Sequence, residues 1–230
     1  EDRNVIVRTV ATTAMAVTAE GEIVQTFGSP MDIQGVRIIG LDDTKKEGYI
    51  VVQELKGPDA WVTASEGWYV NSMDVRGDLI AVSGLTPRQD SGSIVVWDRR
   101  VGEVVATFTL GTKAGSDNPP IVTQVKFLGE GGLIAGYDFS SGDLFIFALK
   151  GQNPDDQNGL IARRHLGGGL GGMAYCEANG MLYALTWPEG EDLGVNHEVL
   201  AIDAASGLTR WTLPVGGAAR IAVNPLTGDI

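Results

Sequence analysis

The sequence has one cysteine, two histidines and no apolar run approaching the roughly 18 residues of a membrane-crossing helix. With Cys176 alone, no internal disulfide can form. This favours a reducing compartment, the cytoplasm ahead of the periplasm or the cell exterior. Positive charge is scarce: 17 Lys and Arg stand against 29 Asp and Glu, a net charge of −12. Nucleic-acid binding needs cations that displace counterions from phosphate, so this balance argues against it. It argues equally against docking on anionic membranes, and identifies no partner by itself. Helical periodicity is missing too. Ala201–Arg210 has a helical composition, but Ser206-Gly207 marks a turn there. The sequence starts at Glu1 and shows no signal-peptide pattern, as expected of a processed protein or a piece of a larger one.

What is present is glycine and β-branched residues. There are 32 glycines in 230 residues, set between apolar runs and without a Gly-X-Y period, so they read as turns in a many-stranded protein. The stretch Ser93–Phe108 shows the unit: a strand at Ser93–Trp97, a tight connection at Asp98–Gly102 and a strand at Glu103–Phe108. Ile94-Val95-Val96-Trp97 is too continuous for a strand with one wet face, so both faces should be covered. Similar strand–turn–strand units occur at Ala14–Phe27, Tyr49–Thr63, Leu144–Arg164 and Val199–Leu213. A second signature, a strand pair about a glycine, precedes them at Gly35, Gly77, Gly131, Gly180 and Gly228, in steps of 42, 54, 49 and 48 residues.

Joined, the signatures give four strands per repeat, a to d. That is the make-up of a β-propeller blade, and the period suits it. The expected fold is therefore all-β: four-stranded antiparallel blades over 30–64, 68–109, 121–165 and 172–213, with a fifth made of 219–230 and 1–27. That fifth blade would close the ring by pairing Arg220–Asn224 with Val5–Val10 and remove two exposed edges. The alternative is a fragment of a larger propeller.

Three blade types are resembled. Ala201, Asp203, Gly207 and Trp211 resemble the quinoprotein (PQQ-type) repeat, of which Gly57 and Trp61 keep half. Val96-Trp97-Asp98 with Gly102 resembles a WD40 repeat end. Val104–Phe108, and Pro214-Val215-Gly216 before Ile221–Pro225, resemble YVTN-type and lactonase-like propellers. These resemblances imply scaffold roles for Trp61, Trp97, Asp98, Gly102, Asp203, Gly207 and Trp211; Trp61 and Trp211 follow the c–d turn at the same spacing and read as indoles docked between neighbouring blades, with ligand stacking the alternative. They imply a blade type and no cofactor: one cysteine excludes the vicinal disulfide of quinoprotein dehydrogenases, and two histidines cannot build the WD40 network five times.

Chemical motifs are few. There is no G-x-S-x-G, no P-loop, and no helix behind Gly167–Gly172 to hold a phosphate. Asp32 and Asp74, at matching ends of strand a, read as turn acceptors, and His165 as a packed or surface residue. No catalytic residue and no metal site is assigned. The long loops carry more. Leu85–Gly92 and Thr186–His197 join strands b and c, Leu110–Pro120 joins d to the next a, and both loop types emerge on one face of a propeller. Loops on a rigid scaffold are where binding residues sit. The exposed candidates are Arg88, Asp90, Asp117, Asn118, Trp187, Glu189, Glu191, Asp192 and His197. The sequence thus points to a non-catalytic module that binds a protein segment or domain on this face. A lactonase-like or glycosidase-like enzyme with carboxylates at the central channel is one alternative, a lectin-like carbohydrate binder another.

Overall fold

The computed structural model describes residues 14–29, 32–42, 44, 48–57, 69–85, 92–110, 120–130, 132–149, 159–187, 196–217, 220–224 and 227–230. The described residues form sixteen strands in four four-stranded antiparallel sheets, and among them there is no helix. The chain divides into two compact units, Glu1–Gly111 and Thr112–Ile230.

The first unit holds two sheets. One runs β1 (Met15–Val17), β2 (Ile23–Ser29), β3 (Asp32–Leu41), β4 (Tyr49–Lys56). The other runs β5 (Tyr69–Arg76), β6 (Leu79–Leu85), β7 (Gly92–Asp98), β8 (Glu103–Leu110). β7 is buried along its whole length, as its unbroken apolar run requires, whereas β8 alternates: Ala106, Phe108 and Leu110 face in, and Val105 and Thr107 face out. Val24, Val36, Ile38 and Leu55 of the first sheet pack with Ile80, Val82, Val95 and Trp97 of the second. Each such side chain fully removed from water contributes about 1.5–3 kcal/mol. Polar contacts fix the approach of the sheets: Trp97 Nε1–H donates to the Lys56 carbonyl at 2.8 Å, and Gln53 Nε2–H donates to the Arg99 carbonyl at 2.8 Å.

The second unit repeats the plan with β9 (Val122–Leu128), β10 (Leu133–Asp138), β11 (Asp143–Ala148) and β12 (Leu160–His165), then β13 (Gly169–Cys176), β14 (Met181–Trp187), β15 (His197–Asp203) and β16 (Thr209–Gly216). Leu128, Ala135, Tyr137, Leu144 and Ile146 of the first of these sheets pack with Leu170, Leu182, Ala184 and Ile202 of the second.

The turns between strands c and d use the expected residues. In β7–β8, Asp98 Oδ1 accepts the Arg100 N–H at 2.9 Å, and Gly102 takes a left-handed φ of 76°. In β15–β16, Asp203 Oδ1 accepts the Ser206 N–H at 2.9 Å, and Gly207 has φ 69°. A short acceptor side chain followed by a residue free to adopt positive φ is the chemistry such a turn requires.

Two expectations are corrected. Gly35 is not a turn: Asp32–Leu41 is one continuous strand that pairs with β2 on one side and β4 on the other. A Cβ at Gly35 would lie 2.1 Å from the Leu55 carbonyl oxygen, so glycine serves there for the close approach of β4. As a result Ala14–Phe27 shares a sheet with β3 and β4, where it was expected in a fifth blade with 219–230, apart from the blade at 30–64. Trp211, expected between sheets, is 42% exposed; its ring leans on Tyr183 at 5.7 Å between centroids. Trp61 and the Val5–Val10 strand proposed for ring closure lie outside the described residues.

Candidate binding surface

The registers show where the long connections leave. In β5–β8, Tyr69 pairs with Leu85, Leu85 with Gly92, and Gly92 with Leu110. Residues 86–91 and 111–119 therefore depart from the same end of that sheet. In β13–β16, Gly169 pairs with Trp187 and His197 with Gly216, so residues 188–195 depart from the corresponding end, after strand b and before strand c. The described connections at the other ends are short: Gly77-Asp78, Arg99–Gly102, Glu177–Gly180 and Ala204–Leu208.

Of the nine binding candidates, Trp187 and His197 fall within the described residues. Arg88, Asp90, Asp117, Asn118, Glu189, Glu191 and Asp192 lie outside them. His197 was expected to be exposed, but it is only 8% exposed, and neither ring nitrogen has a hydrogen-bond partner among the described residues. It is the first residue of β15, and its ring lies 5.7 Å from that of Trp187, tilted by 36°. The indole in turn occupies the space above Gly169, where a Cβ would come within 2.0 Å of it. The sequence conceals this because an imidazole at a loop end is polar by composition, while its burial is set by an aromatic neighbour ten residues away. The Trp187–His197 ring pair thus sits at the base of the loop.

The equivalent end of β9–β12 carries a cluster that sequence reasoning missed. Asp138 Oδ1 accepts the Ile121 and Ser140 N–H groups at 2.7 and 3.0 Å, and its Oδ2 accepts the Ser141 hydroxyl at 2.6 Å. Asp143 accepts Arg163 and, at 2.9 Å, the Nδ1–H of His165. Burial raises the Asp143 pKa, but the Arg163 and His165 bonds outweigh it and hold the carboxyl below its ordinary value. The Arg163 guanidinium also lies 5.2 Å from the Phe145 ring centroid. Only the pairing of β11 with β12 brings Asp143 and His165 together, across 22 residues of chain. Ser141 donates its hydroxyl to Asp138 Oδ2. Among the described residues, no three of His, Cys, Asp and Glu converge as metal ligands.

The fold is that of the β-propellers. The chain matches the β-propeller domain of Cps50 (Swd1) from Myceliophteria thermophila with a TM-score of 0.54 and 12% identity, over 87% of this chain and 58% of that one. It matches Kuenenia stuttgartiensis hydrazine synthase with a TM-score of 0.60 and 12% identity, over 91% and 50%. It matches a proposed 6-phosphogluconolactonase from Bacteroides uniformis with a TM-score of 0.55 and 13% identity, over 88% and 56%. The chain spans about half the length of these structures. No family model matches the sequence, and no curated protein matches it either. A β-propeller domain and proteins named as enzymes both stand among these matches, and at these identities the likeness shows the fold alone. No helix among the described residues is long and apolar enough to cross a membrane.

Proposed function

We propose that the chain is a non-catalytic interaction module that binds a protein segment or domain on the end of its sheets carrying the long b–c and d–a connections. The observation that carries the reading is the register: residues 86–91 and 111–119 leave one end of β5–β8, and 188–195 leave the matching end of β13–β16. In β5–β8 and β13–β16, short turns at one end and longer polar connections at the other present variable contacts on a fixed frame; β9–β12 differs, with a short b–c turn at 139–142 and its longer connection, 149–159, at the opposite end. Arg88, Asp90, Asp117, Asn118, Glu189, Glu191 and Asp192 supply the charged and polar contacts. Trp187 and His197 anchor the base of the third loop. The acidic loop residues and the net charge of −12 favour a partner with basic groups.

The test replaces Pro188–Val195 with a short Gly-Ser turn, keeping Trp187 and His197. Proteins captured from extracts of the source cells by the parent chain should be lost from the variant, while its thermal unfolding stays cooperative. Undiminished capture of the same proteins contradicts the reading.

A further inference from the structure

At the end of β9–β12 that corresponds to the proposed binding face, the acids are buried and the bases are exposed. Asp138 and Asp143 are each 4% exposed. The side chains of Arg163 and His165, both bonded to Asp143, are 44% and 56% exposed. In a chain of net charge −12, this end therefore turns its basic groups outward.

Phe139 stands in the b–c turn at the same end and is 53% exposed. The backbone around it is fixed. The Phe139 N–H donates to the Ile121 carbonyl at 2.9 Å, the Gly142 N–H to the Asp138 carbonyl at 2.9 Å, and the Leu166 N–H to the Gly142 carbonyl at 2.8 Å. Arg163 is held as well, by Asp143 and by the Phe145 ring 5.2 Å away. Groups that are already ordered lose little conformational freedom when a partner binds, which suits an anchor.

The register brings these residues together. Asp138 pairs with Asp143, and Asp143 with His165. Three adjacent strands span roughly 10 Å, so Phe139 and His165 flank a patch the width of one side chain and its neighbour. Residues 166–168 alone separate His165 from Gly169, on which the Trp187 indole is seated. That length of chain reaches at most about 14 Å. The patch is thus continuous with the base of the 188–195 connection.

We propose, on the reading of this end as the binding face, that Phe139, Arg163 and His165 form a docking spot for a partner segment that sets an apolar side chain beside a carboxylate. The apolar side chain packs on Phe139. A guanidinium has five N–H donors, and Asp143 takes those of Arg163 on Nε and one on Nη2; the others meet the partner's carboxylate, with His165 beside it. Glu189, Glu191 and Asp192 of the neighbouring connection attract basic groups of the same segment. A segment that is basic throughout is repelled at this spot, so one acidic residue sets the register of an otherwise basic partner.

A random peptide library displayed on phage and selected on the immobilised chain supplies the probes, and fluorescence anisotropy of synthetic copies gives their affinities. Enriched peptides should carry Asp or Glu near an apolar residue. Phe139→Ser should weaken them by at least about tenfold while thermal unfolding stays cooperative. Exchanging the peptide's apolar residue for serine should cost affinity in the parent and little more in Phe139→Ser. Exchanging its carboxylate for the amide should cost less in His165→Gln than in the parent. Enrichment of peptides without an acidic residue, no enrichment at all, or unchanged affinity in Phe139→Ser overturns the proposal. Replacing residues 188–195 separates the two readings. Binding lost there but kept in Phe139→Ser removes the spot and leaves the binding face. Binding lost in Phe139→Ser but kept in the loop replacement supports the spot and contradicts the loop contacts.

Discussion

Trp97 ties the two sheets of the first unit together. Its side chain is fully buried and its one donor reaches the carbonyl of Lys56 on the neighbouring sheet. Trp97→Ala should therefore cost about 3–5 kcal/mol in chemical denaturation. Trp211→Ala should cost much less, since that indole is 42% exposed; equal losses for the two would contradict the burial described for them. Tyr137 makes the opposite point. Its hydroxyl is buried without a partner among the described residues, and burial pushes its pKa up to about 12. Tyr137→Phe removes an unsatisfied group while keeping the ring, so it should leave stability unchanged or raise it by up to about 1–3 kcal/mol. A clear loss of melting temperature would mean that the hydroxyl has a partner.

Asp203 gives a pH dependence. The Arg210 and Ser206 hydrogen bonds hold its carboxyl at about 2, below the ordinary 3.8. A carboxyl depressed by folding stabilises only while ionised. Its contribution is complete above 3.8 and disappears as pH falls towards 2. Asp203→Asn should flatten that section of the profile of melting temperature against pH, and an unaltered profile would show that the turn does not depend on the charge.

At the scale of the element, legibility followed the physics of burial. Ile94–Trp97 was readable because an unbroken apolar run has one β solution, a strand covered on both faces, and β7 is that strand. The Asp98–Gly102 and Asp203–Gly207 turns were readable because an acceptor side chain and a positive-φ glycine are local requirements. Gly35 was misread for a non-local reason. Nothing adjacent to it in sequence reports that the Leu55 carbonyl passes over its α-carbon. Gly35→Ala should cost about 1–3 kcal/mol through forced separation of β3 and β4, seen as a lower denaturation midpoint; tolerance of alanine would point to the turn role instead. The Asp143–His165 bond and the Trp187–His197 seat were invisible for the same reason, since each depends on which strands pair. The loop end as a place for function was legible from connection lengths, whereas the burial of His197 there was not.

For the whole molecule, the four-stranded repeat is the organising fact. It accounts for the glycine content, the absence of helices among the described residues and the likeness to propellers at 12–13% identity. Within each unit, one sheet's apolar face is completed by the next, which separates the scaffold from the surface proposed to bind. Substitutions in the short a–b and c–d turns should change stability without changing partner capture. Changes in the long connections should do the reverse.

The proposed binding face is tested most directly by hydrogen exchange of the chain with a captured partner bound. Slowed exchange should fall on the peptides that flank the long connections: 84–92, 110–120 and 186–197. The turns Gly77-Asp78, Arg99–Gly102, Glu177–Gly180 and Ala204–Leu208, at the other ends of the strands, should be unaffected. Protection concentrated on those short turns, with the long connections unchanged, would contradict the account.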